Sequence, residues 1–213
     1  QIGTNFANDY YDAKKGADTA NRKGPQRMVQ SGLIAPNQMK YATFFVFVLA
    51  FLLGLYLSYI GGWPIFLIGI ISIACGYLYT AGPYAIAYNG LGDIFALVFF
   101  GPVAVAGTVY IQIHALSIDA ITIGIGIGLI STALLAVNNV RDINEDKVAN
   151  KHTLVVRFGK RFGQLEYSIC LLVSFIILFY FTFSTLFSGI ILISYSIYSS
   201  ESSPCSDLQI TNN

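Results

Sequence analysis

Residues 41–61 read YATFFVFVLAFLLGLYLSYIG, an apolar run of twenty-one residues without a single charge. A transmembrane helix needs about 20 such residues to cross the hydrocarbon core of a bilayer. Three comparable runs follow at 64–81, 94–113 and 118–137. Because these runs are continuously apolar rather than alternating, they predict helical spans and exclude a closed β-barrel. We therefore expect an all-α fold, a multi-span transmembrane helical bundle.

The distribution of charge supports the same prediction. Only 11% of the 213 residues are charged, whereas a soluble domain is roughly 25% charged. All twelve Lys and Arg lie in two blocks, and between Lys40 and Arg141 the charged residues are Asp93 and Asp119 alone. A charge at the bilayer centre costs roughly 3 kcal/mol, which explains the gap. A composition this apolar, with a net charge of +1, argues against a disordered chain, a disulfide scaffold and a nucleic-acid partner.

The two basic blocks also predict a topology. Loops rich in Lys and Arg stay in the cytoplasm, so both blocks belong on the same side of the membrane. That requires an even number of spans between them, and the four runs satisfy it. Asp119 then falls at the outer start of a span, where the helix dipole favours an acidic residue. We expect an integral membrane protein whose polar blocks face the cytoplasm.

The end of the chain has a different character. The apolar stretch 167–198 is too long for one span and too short for two, so we expect one complete span and a second that is cut or short. Residues 1–198 are expected to form a single transmembrane domain. The polar segment 199–213, SSESSPCSDLQITNN, has no helical or strand period, and we interpret it as disordered or non-native. Because the chain opens with Gln1 inside a helical pattern, we expect the domain to be truncated at both ends.

Small residues predict how the helices pack. Gly124, Gly126 and Gly128 include a Gly-x3-Gly pair, which permits close approach of two membrane helices. Pro102 after Gly101 predicts a kink inside the 94–113 span.

Chemistry is concentrated in two acidic segments. In the first, NDYYDAKKGAD (8–18), Asn8 and Asp12 are four residues apart and share one helix face. Gly16 is placed to end that helix, and Asp18 then lies on the following turn, from which it can fold back. In the second, NNVRDINED (138–146), oxygen-bearing side chains recur every four residues and form one stripe, which consists of Asn138, Asp142 and Asp146.

Facing acidic stripes favour a divalent cation. Carboxylates that repel one another on a helix face destabilise it by a few tenths of a kcal/mol per pair, and a hard cation relieves that repulsion. Mg²⁺ prefers oxygen ligands and usually takes one or two carboxylates together with substrate phosphates. Basic residues follow each segment, as expected if a phosphate bridges metal and cations; they are Arg22, Lys23 and Arg27 after the first, and Lys151 and Arg157 after the second. We therefore predict a Mg²⁺–diphosphate site, although positive-inside topology alone also explains the basic residues.

Several short motifs carry a family resemblance over roughly residues 1–185. Paired Asp-rich motifs of this kind resemble those of the intramembrane aromatic prenyltransferases of quinone biosynthesis, and the finer resemblance is to the subfamily that prenylates 1,4-dihydroxy-2-naphthoate in the menaquinone pathway. The motifs are NDYYDAKKGAD (8–18), GPQR (24–27), YTAGP (79–83), GLGD (90–93), FGPVA (100–104), NNVRDINED (138–146) and KHTLVVRFG (151–159). Prenyltransferases for hydroxybenzoate place a Lys soon after the Tyr of the YTAGP motif, whereas 79–88 here contains no cation.

The resemblance implies a fold, a reaction and a site. It implies nine membrane helices, of which five to six lie in this chain, in a bacterial cytoplasmic membrane. A polyprenyl group would pass from its diphosphate to dihydroxynaphthoate with loss of CO2. Mg²⁺ would be held by Asn8, Asp12, Asp18, Asp142 and Asp146. Catalysis would depend on Asp12, Asp142 and Asp146, and the diphosphate would be bound by Asn8, Arg22, Arg27, Asn138 and Lys151.

Three alternatives stay open. A transporter would carry its acidic residues near the membrane midplane, whereas these lie at helix ends. Another membrane prenyltransferase of the same superfamily would use a different aromatic or lipid acceptor. A fragment of an enzyme would be inactive alone. The sequence indicates no protein partner.

Overall fold

The computed structural model describes residues 1–17 and 24–201, with the side chains of 1–17 and 24–185. Every regular element in this part of the chain is helical. The helices are α1 (Ile2–Lys14), α2 (Pro36–Gly61), α3 (Trp63–Leu78), α4 (Gly92–Val98), α5 (Ala104–Ile113), α6 (Ile118–Arg141), α7 (Ile143–Val148), α8 (Leu154–Phe158) and α9 (Lys160–Glu201). A 3-10 turn, Ile86–Asn89, precedes α4, and a π-turn, Phe99–Val103, joins α4 to α5.

The predicted bundle is confirmed. Within the described part of the chain, four helical segments are long and apolar enough to cross a membrane: Pro36–Gly61, Gly92–Ile113, Ile118–Arg141 and Lys160–Thr185. The shorter apolar helix α3 adds a fifth. Four of these segments lie between the two basic blocks, as the topology argument requires. Their outward faces are broadly apolar, which suits lipid contact.

Helix α6 lies at the centre of the bundle because glycines let its neighbours approach closely. The kink is where Pro102 was predicted to produce it, with Gly101 at φ −101° and ψ −112°. A Cβ on Gly101 would lie 2.6 Å from the carbonyl oxygen of Gly124, and one on Gly124 would lie 2.8 Å from the Cα of Pro102. Any larger residue at these positions would push the kinked helix away from α6. The predicted close approach is therefore confirmed.

Helix α9 packs on the other side of α6. The Ser174 hydroxyl is buried and donates a hydrogen bond of 2.9 Å to the carbonyl oxygen of Gly126. The expectation of one complete span and a second short one in 167–198 is wrong, since α9 runs unbroken through all 42 residues of Lys160–Glu201. No proline interrupts this range, and the helix therefore has no residue that would force it to break.

Helix α1 ends as Gly16 predicts. Gly16 has φ +67°, its N–H donates to Ala13 O at 3.1 Å, and the N–H of Ala17 donates to Asp12 O at 2.9 Å. These two bonds form a Schellman motif, which needs a left-handed residue. On another side of α1, the buried Asp9 carboxylate accepts hydrogen bonds from the N–H groups of Met28 (2.9 Å) and Val29 (3.0 Å). Asp9 thus fixes the turn that leads into α2.

The second acidic segment is almost, but not wholly, one helix. Helix α6 ends at Arg141, and Asp142 has φ −96° and ψ 11° before α7 begins. The Asp142 N–H still donates to Asn138 O (2.9 Å), and the Asp146 N–H donates to Asp142 O (2.8 Å). The four-residue spacing therefore survives the break. Two short helices, α7 and α8, follow and return the chain to the bundle.

Candidate functional site

A cavity of about 600 Å³ opens between α1, α3, α4, α6 and the segment after α7. Seven residues predicted to form the site line it together: Asn8, Asp12, Arg27, Asn138, Asp142, Asp146 and Lys151. They come from positions up to 143 residues apart in sequence, and the helix packing brings both acidic segments to the same end of the bundle. Asp18 and Arg22, the other two predicted residues, lie outside the described part of the chain.

Asp12 is the most enclosed acidic residue of the cavity, with 2% of its surface exposed. The Tyr88 hydroxyl donates to its Oδ1 at 2.9 Å. The Lys151 ammonium donates to its Oδ2 at 3.2 Å, and the Arg27 guanidinium lies 3.7 Å from the same oxygen. Two cations and a hydroxyl offset the cost of burying this charge. Asp12 thus ties together α1, the loop before α4 and the segment after α7.

The remaining polar groups of α1 hold the end of α3. Asn8 Oδ1 accepts a hydrogen bond of 2.9 Å from the Thr80 hydroxyl. Lys15 donates to the carbonyl oxygens of Thr80 (2.7 Å) and Gly82 (3.2 Å). Its ammonium also lies 4.0 Å from the centroid of the Tyr88 ring, a cation–π contact. Partial burial lowers the pKa of Lys15, with Asp12 opposing the shift and Lys151 adding to it.

Asp142 and Asp146 differ in their surroundings. Arg141 donates to both oxygens of Asp142, at 2.6 and 2.7 Å. Asp146 is buried, and burial raises its pKa to about 6; repulsion by Asp142, Asp12 and Glu145 adds to the shift, and Lys151 opposes it. A cation placed beside a carboxylate with a raised pKa stabilises its charged form.

The two cations of the segment 150–157, Lys151 and Arg157, have different roles. Lys151 lines the cavity, whereas Arg157 donates to the carbonyl oxygens of His152 and Asn89, each at 2.9 Å. The N–H of His152 donates to Tyr88 O at 2.9 Å, and Gly90, at φ +73°, lets the two segments approach. Arg157 therefore clamps two loops and thereby positions Tyr88 and Lys151.

Sequence reasoning missed Tyr88, Lys15 and Asp93 as site residues. Lys15 contacts the Tyr88 ring, Tyr88 binds Asp12, and Asp93 lines the cavity. Two of the three lie in quoted motifs, Lys15 in NDYYDAKKGAD and Asp93 in GLGD. Tyr88 lies only two residues before GLGD, and this proximity is the one sequence signal that could have identified it.

The cavity suits a hard cation. All side-chain atoms predicted to bind the metal are oxygens, the ligand atoms that Mg²⁺ prefers. Within residues 1–17 and 24–185, no three His, Cys, Asp or Glu side chains gather closely enough to hold a metal by themselves. A divalent cation here would thus rely on one or two carboxylates and on oxygens of a bound ligand, which is the usual pattern for Mg²⁺.

Fold and cavity together define an integral membrane protein with an acidic and cationic site at one end of a helical bundle. The chain belongs to the UbiA prenyltransferase family, whose sequence model matches residues 1–200.

Individual relatives agree with that family. The chain is 40% identical over 190 residues to 1,4-dihydroxy-2-naphthoate octaprenyltransferase of Haemophilus influenzae, covering 86% of the chain and 61% of the relative. It is 42% identical over 178 residues to the Escherichia coli protein of the same name, covering 81% of the chain and 58% of the relative. Human UbiA prenyltransferase domain-containing protein 1 is 28% identical over 176 residues, covering 81% of the chain and 51% of the relative. The chain thus spans about half to three-fifths of these relatives. No protein of solved structure matches it.

Proposed function

We propose that the full-length protein transfers a polyprenyl group from polyprenyl diphosphate to 1,4-dihydroxy-2-naphthoate, releasing diphosphate and CO2 and giving the reduced, quinol form of a demethylmenaquinone. One observation carries the proposal. Two acidic motifs from opposite parts of the chain line a single cavity together with Arg27 and Lys151. The names of the two bacterial relatives support dihydroxynaphthoate as the acceptor.

We also propose that the activity depends on Mg²⁺. Asn8, Asp12, Asp142 and Asp146 would hold the ion, with Asp18 from the segment outside the described residues. When bound, Mg²⁺ supplies positive charge that neutralises the leaving diphosphate.

The protein's own cations share that task. Lys151 and Arg27 line the cavity beside Asp12, so they can turn to a diphosphate and stabilise the charge that develops as its C–O bond breaks. Phe95, Phe99 and Leu135 line the same cavity. Their apolar surfaces would exclude water that would otherwise capture the allylic cation.

We place the cavity on the cytoplasmic side of a bacterial membrane. Both basic blocks flank the acidic motifs, and cation-rich segments stay in the cytoplasm. Cysteine labelling from each side of intact cells, at an exposed position near Lys147, tests this orientation.

The activity is tested with the full-length protein in membranes. Radiolabelled polyprenyl diphosphate is supplied with dihydroxynaphthoate or with hydroxybenzoate, each with Mg²⁺ or EDTA. We expect a Mg²⁺-dependent prenylated product and CO2 from the naphthoate alone. Product from hydroxybenzoate alone would overturn the acceptor and keep the prenyl transfer. Absence of both product and diphosphate binding would overturn the proposed reaction.

A further inference from the structure

Asp93 is an acidic residue that lines the cavity but has no role in the proposed diphosphate site. It lies in the first turn of α4, is 4% exposed and lines the cavity. The Thr132 hydroxyl donates to the Asp93 carbonyl oxygen at 3.3 Å, which ties the start of α4 to α6. The carboxylate is thus held at a defined place in the wall.

The surroundings of Asp93 differ from those of Asp12. Its Oδ1 accepts a hydrogen bond of 3.3 Å from the Asn139 side chain. Among the described residues, no Lys or Arg lies within 4 Å of the Asp93 carboxylate, in contrast to the two cations on Asp12. A buried carboxylate that lacks a cation is stabilised by a hydrogen-bond donor that enters its pocket.

The cavity that Asp93 lines also suits a flat aromatic molecule. Phe95 and Phe99, two and six residues after Asp93, stack with ring centroids 5.7 Å apart and line the cavity with Leu135. Asn139, which holds Asp93, adjoins Asn138 of the acidic stripe. The cavity therefore combines apolar walls for an aromatic ring with a buried carboxylate, that of Asp93, which can accept a hydrogen bond from a ring hydroxyl.

Resting on the proposed function, we propose that Asp93 binds a hydroxyl of the aromatic acceptor and takes its proton as the new C–C bond forms. The O–H bond next to the attacked carbon breaks, its proton moves to the Asp93 carboxylate, and its electron pair activates the ring. That carbon, which carries the carboxylate, bonds to C1 of the prenyl chain while the C–O bond breaks and leaves its electron pair on diphosphate. Loss of CO2 returns an electron pair to the ring, and the ring oxygen recovers the proton from Asp93.

The test compares two acids that each lie in the first turn of a membrane helix. Asp93→Asn keeps the shape and the oxygen that Asn139 binds, whereas Asp119→Asn removes an exposed acid at the start of α6. We expect Asp93→Asn to lower kcat/KM for dihydroxynaphthoate by on the order of 100-fold or more, the usual effect of losing a general base. The KM for polyprenyl diphosphate should stay at the wild-type value, Asp93→Glu should recover part of the rate, and Asp119→Asn should change neither constant.

A second acceptor separates a proton-transfer role from a structural one. The methyl ether of the hydroxyl next to the attacked carbon has no proton to give, so wild type and Asp93→Asn should convert it equally slowly. A wild-type kcat/KM in Asp93→Asn, or the same loss with the ether as with the free hydroxyl, would overturn the proposal. Absence of product from the wild-type protein with either acceptor would instead contradict the proposed function on which it rests.

The pH dependence of kcat gives an independent readout. The titratable groups that face Asp93 are Tyr79 after α3, and Glu166 and Cys170 on α9. The pKa of Asp146 is about 6, so the diphosphate site contributes an acidic limb in every variant. If Asp93 takes the proton, Asp93→Asn should remove one ionisation and make that limb less steep, whereas Glu166→Gln should leave its steepness unchanged. An acidic limb of unchanged steepness in Asp93→Asn would also overturn the proposal.

Discussion

The two acidic motifs contain the same residue types but differ in how their charge is balanced. In the first, Asp12 is bound by Lys151, Arg27 and Tyr88. In the second, Asp146 is buried among like charges, and its pKa is raised to about 6. The carboxylate of Asp12 is thus neutralised by direct ion pairs with the protein's own cations, whereas the burial of Asp146 is only partly offset by Lys151, and Asp142 pairs with the partly exposed Arg141.

This difference suggests that the two motifs have different roles. A motif that the protein neutralises can fold before any ligand binds, so Asp12 would serve as a structural anchor as well as the proposed metal ligand. A buried carboxylate whose charge is only partly offset, such as that of Asp146, gains most when a cation enters. We therefore expect changes at Asp12 to affect stability and activity, changes at Asp142 to affect cation binding and activity alone, and changes at Asp146 to affect cation binding, activity and the pH dependence of stability.

Asp12→Ala should have the largest effect. It leaves Lys151 and Arg27 without their buried partner, and breaking a buried pair in this way costs about 3–5 kcal/mol. Turnover should fall by on the order of 100-fold or more, as for other groups that organise transition-state charge. Prenyl transfer and thermal unfolding in detergent measure the two effects.

Asp12→Asn serves as the matched variant, because its amide can still accept from Tyr88. It should recover part of the stability but little of the turnover. Wild-type turnover in Asp12→Ala would contradict a role of this carboxylate in the diphosphate site.

Asp142→Ala should reduce turnover almost as far but leave stability unchanged. Its partner Arg141 is about one-third exposed, and ion pairs near the surface contribute at most about 1 kcal/mol. A loss of stability equal to that of Asp12→Ala would remove the distinction between the two motifs. Membrane insertion, followed by fractionation, should be normal in both variants.

Asp146 predicts a pH dependence. Because its pKa in the folded protein is raised above the ordinary value of 3.8, its protonation favours the folded state. That stabilisation is fully present below about pH 4 and is lost as the pH rises through about 6. Without Mg²⁺, the melting temperature should therefore fall between pH 5 and pH 7.5, and Mg²⁺ should restore more of it at pH 7.5 than at pH 5.

Asp146→Asn tests the origin of that slope. The pH dependence of melting should flatten in this variant and persist in Asp119→Asn, which removes an acid elsewhere. An unchanged slope in Asp146→Asn would assign the effect to other groups.

The structural features that the sequence predicted correctly are those that depend on neighbouring residues. Gly16 ends α1, Pro102 follows the kink, and Gly124 allows close packing, because each feature depends on nearby backbone geometry. The continuity of α9 could not be predicted from 167–198, since apolar length alone does not show where a helix breaks. Tyr88 and Asp12 are 76 residues apart, and only packing of α1 against the end of α3 brings them together. In the sequence, Asp93 was only an isolated charge and the last residue of the GLGD motif, and its burial in the cavity wall became known from the structure.

Tyr88→Phe should have a smaller effect than the acidic substitutions. It removes one hydrogen bond to a charged group, worth about 1.5–3 kcal/mol, but keeps the ring on which Lys15 and Lys151 lie. Turnover should fall roughly tenfold for each 1.4 kcal/mol that this bond contributes to the transition state. Tyr84→Phe, at a tyrosine that is 86% exposed in the same loop, is the control and should change nothing.

The smallest effect is expected at Gly16, which helps to position the first motif through its backbone conformation alone. Gly16 has φ +67°, and a Cβ there would meet nothing within 4 Å, so Gly16→Ala introduces conformational strain without a clash. Strain of this kind costs about 1–2 kcal/mol, and Asn tolerates the left-handed region better than Ala. Melting temperature should therefore decrease in the order wild type, Gly16→Asn, Gly16→Ala, with turnover preserved in folded protein. If Gly16→Ala lost turnover without losing stability, the position of Asp12 would depend on this turn more than on its three partners, and the view of Asp12 as a self-sufficient anchor would be wrong.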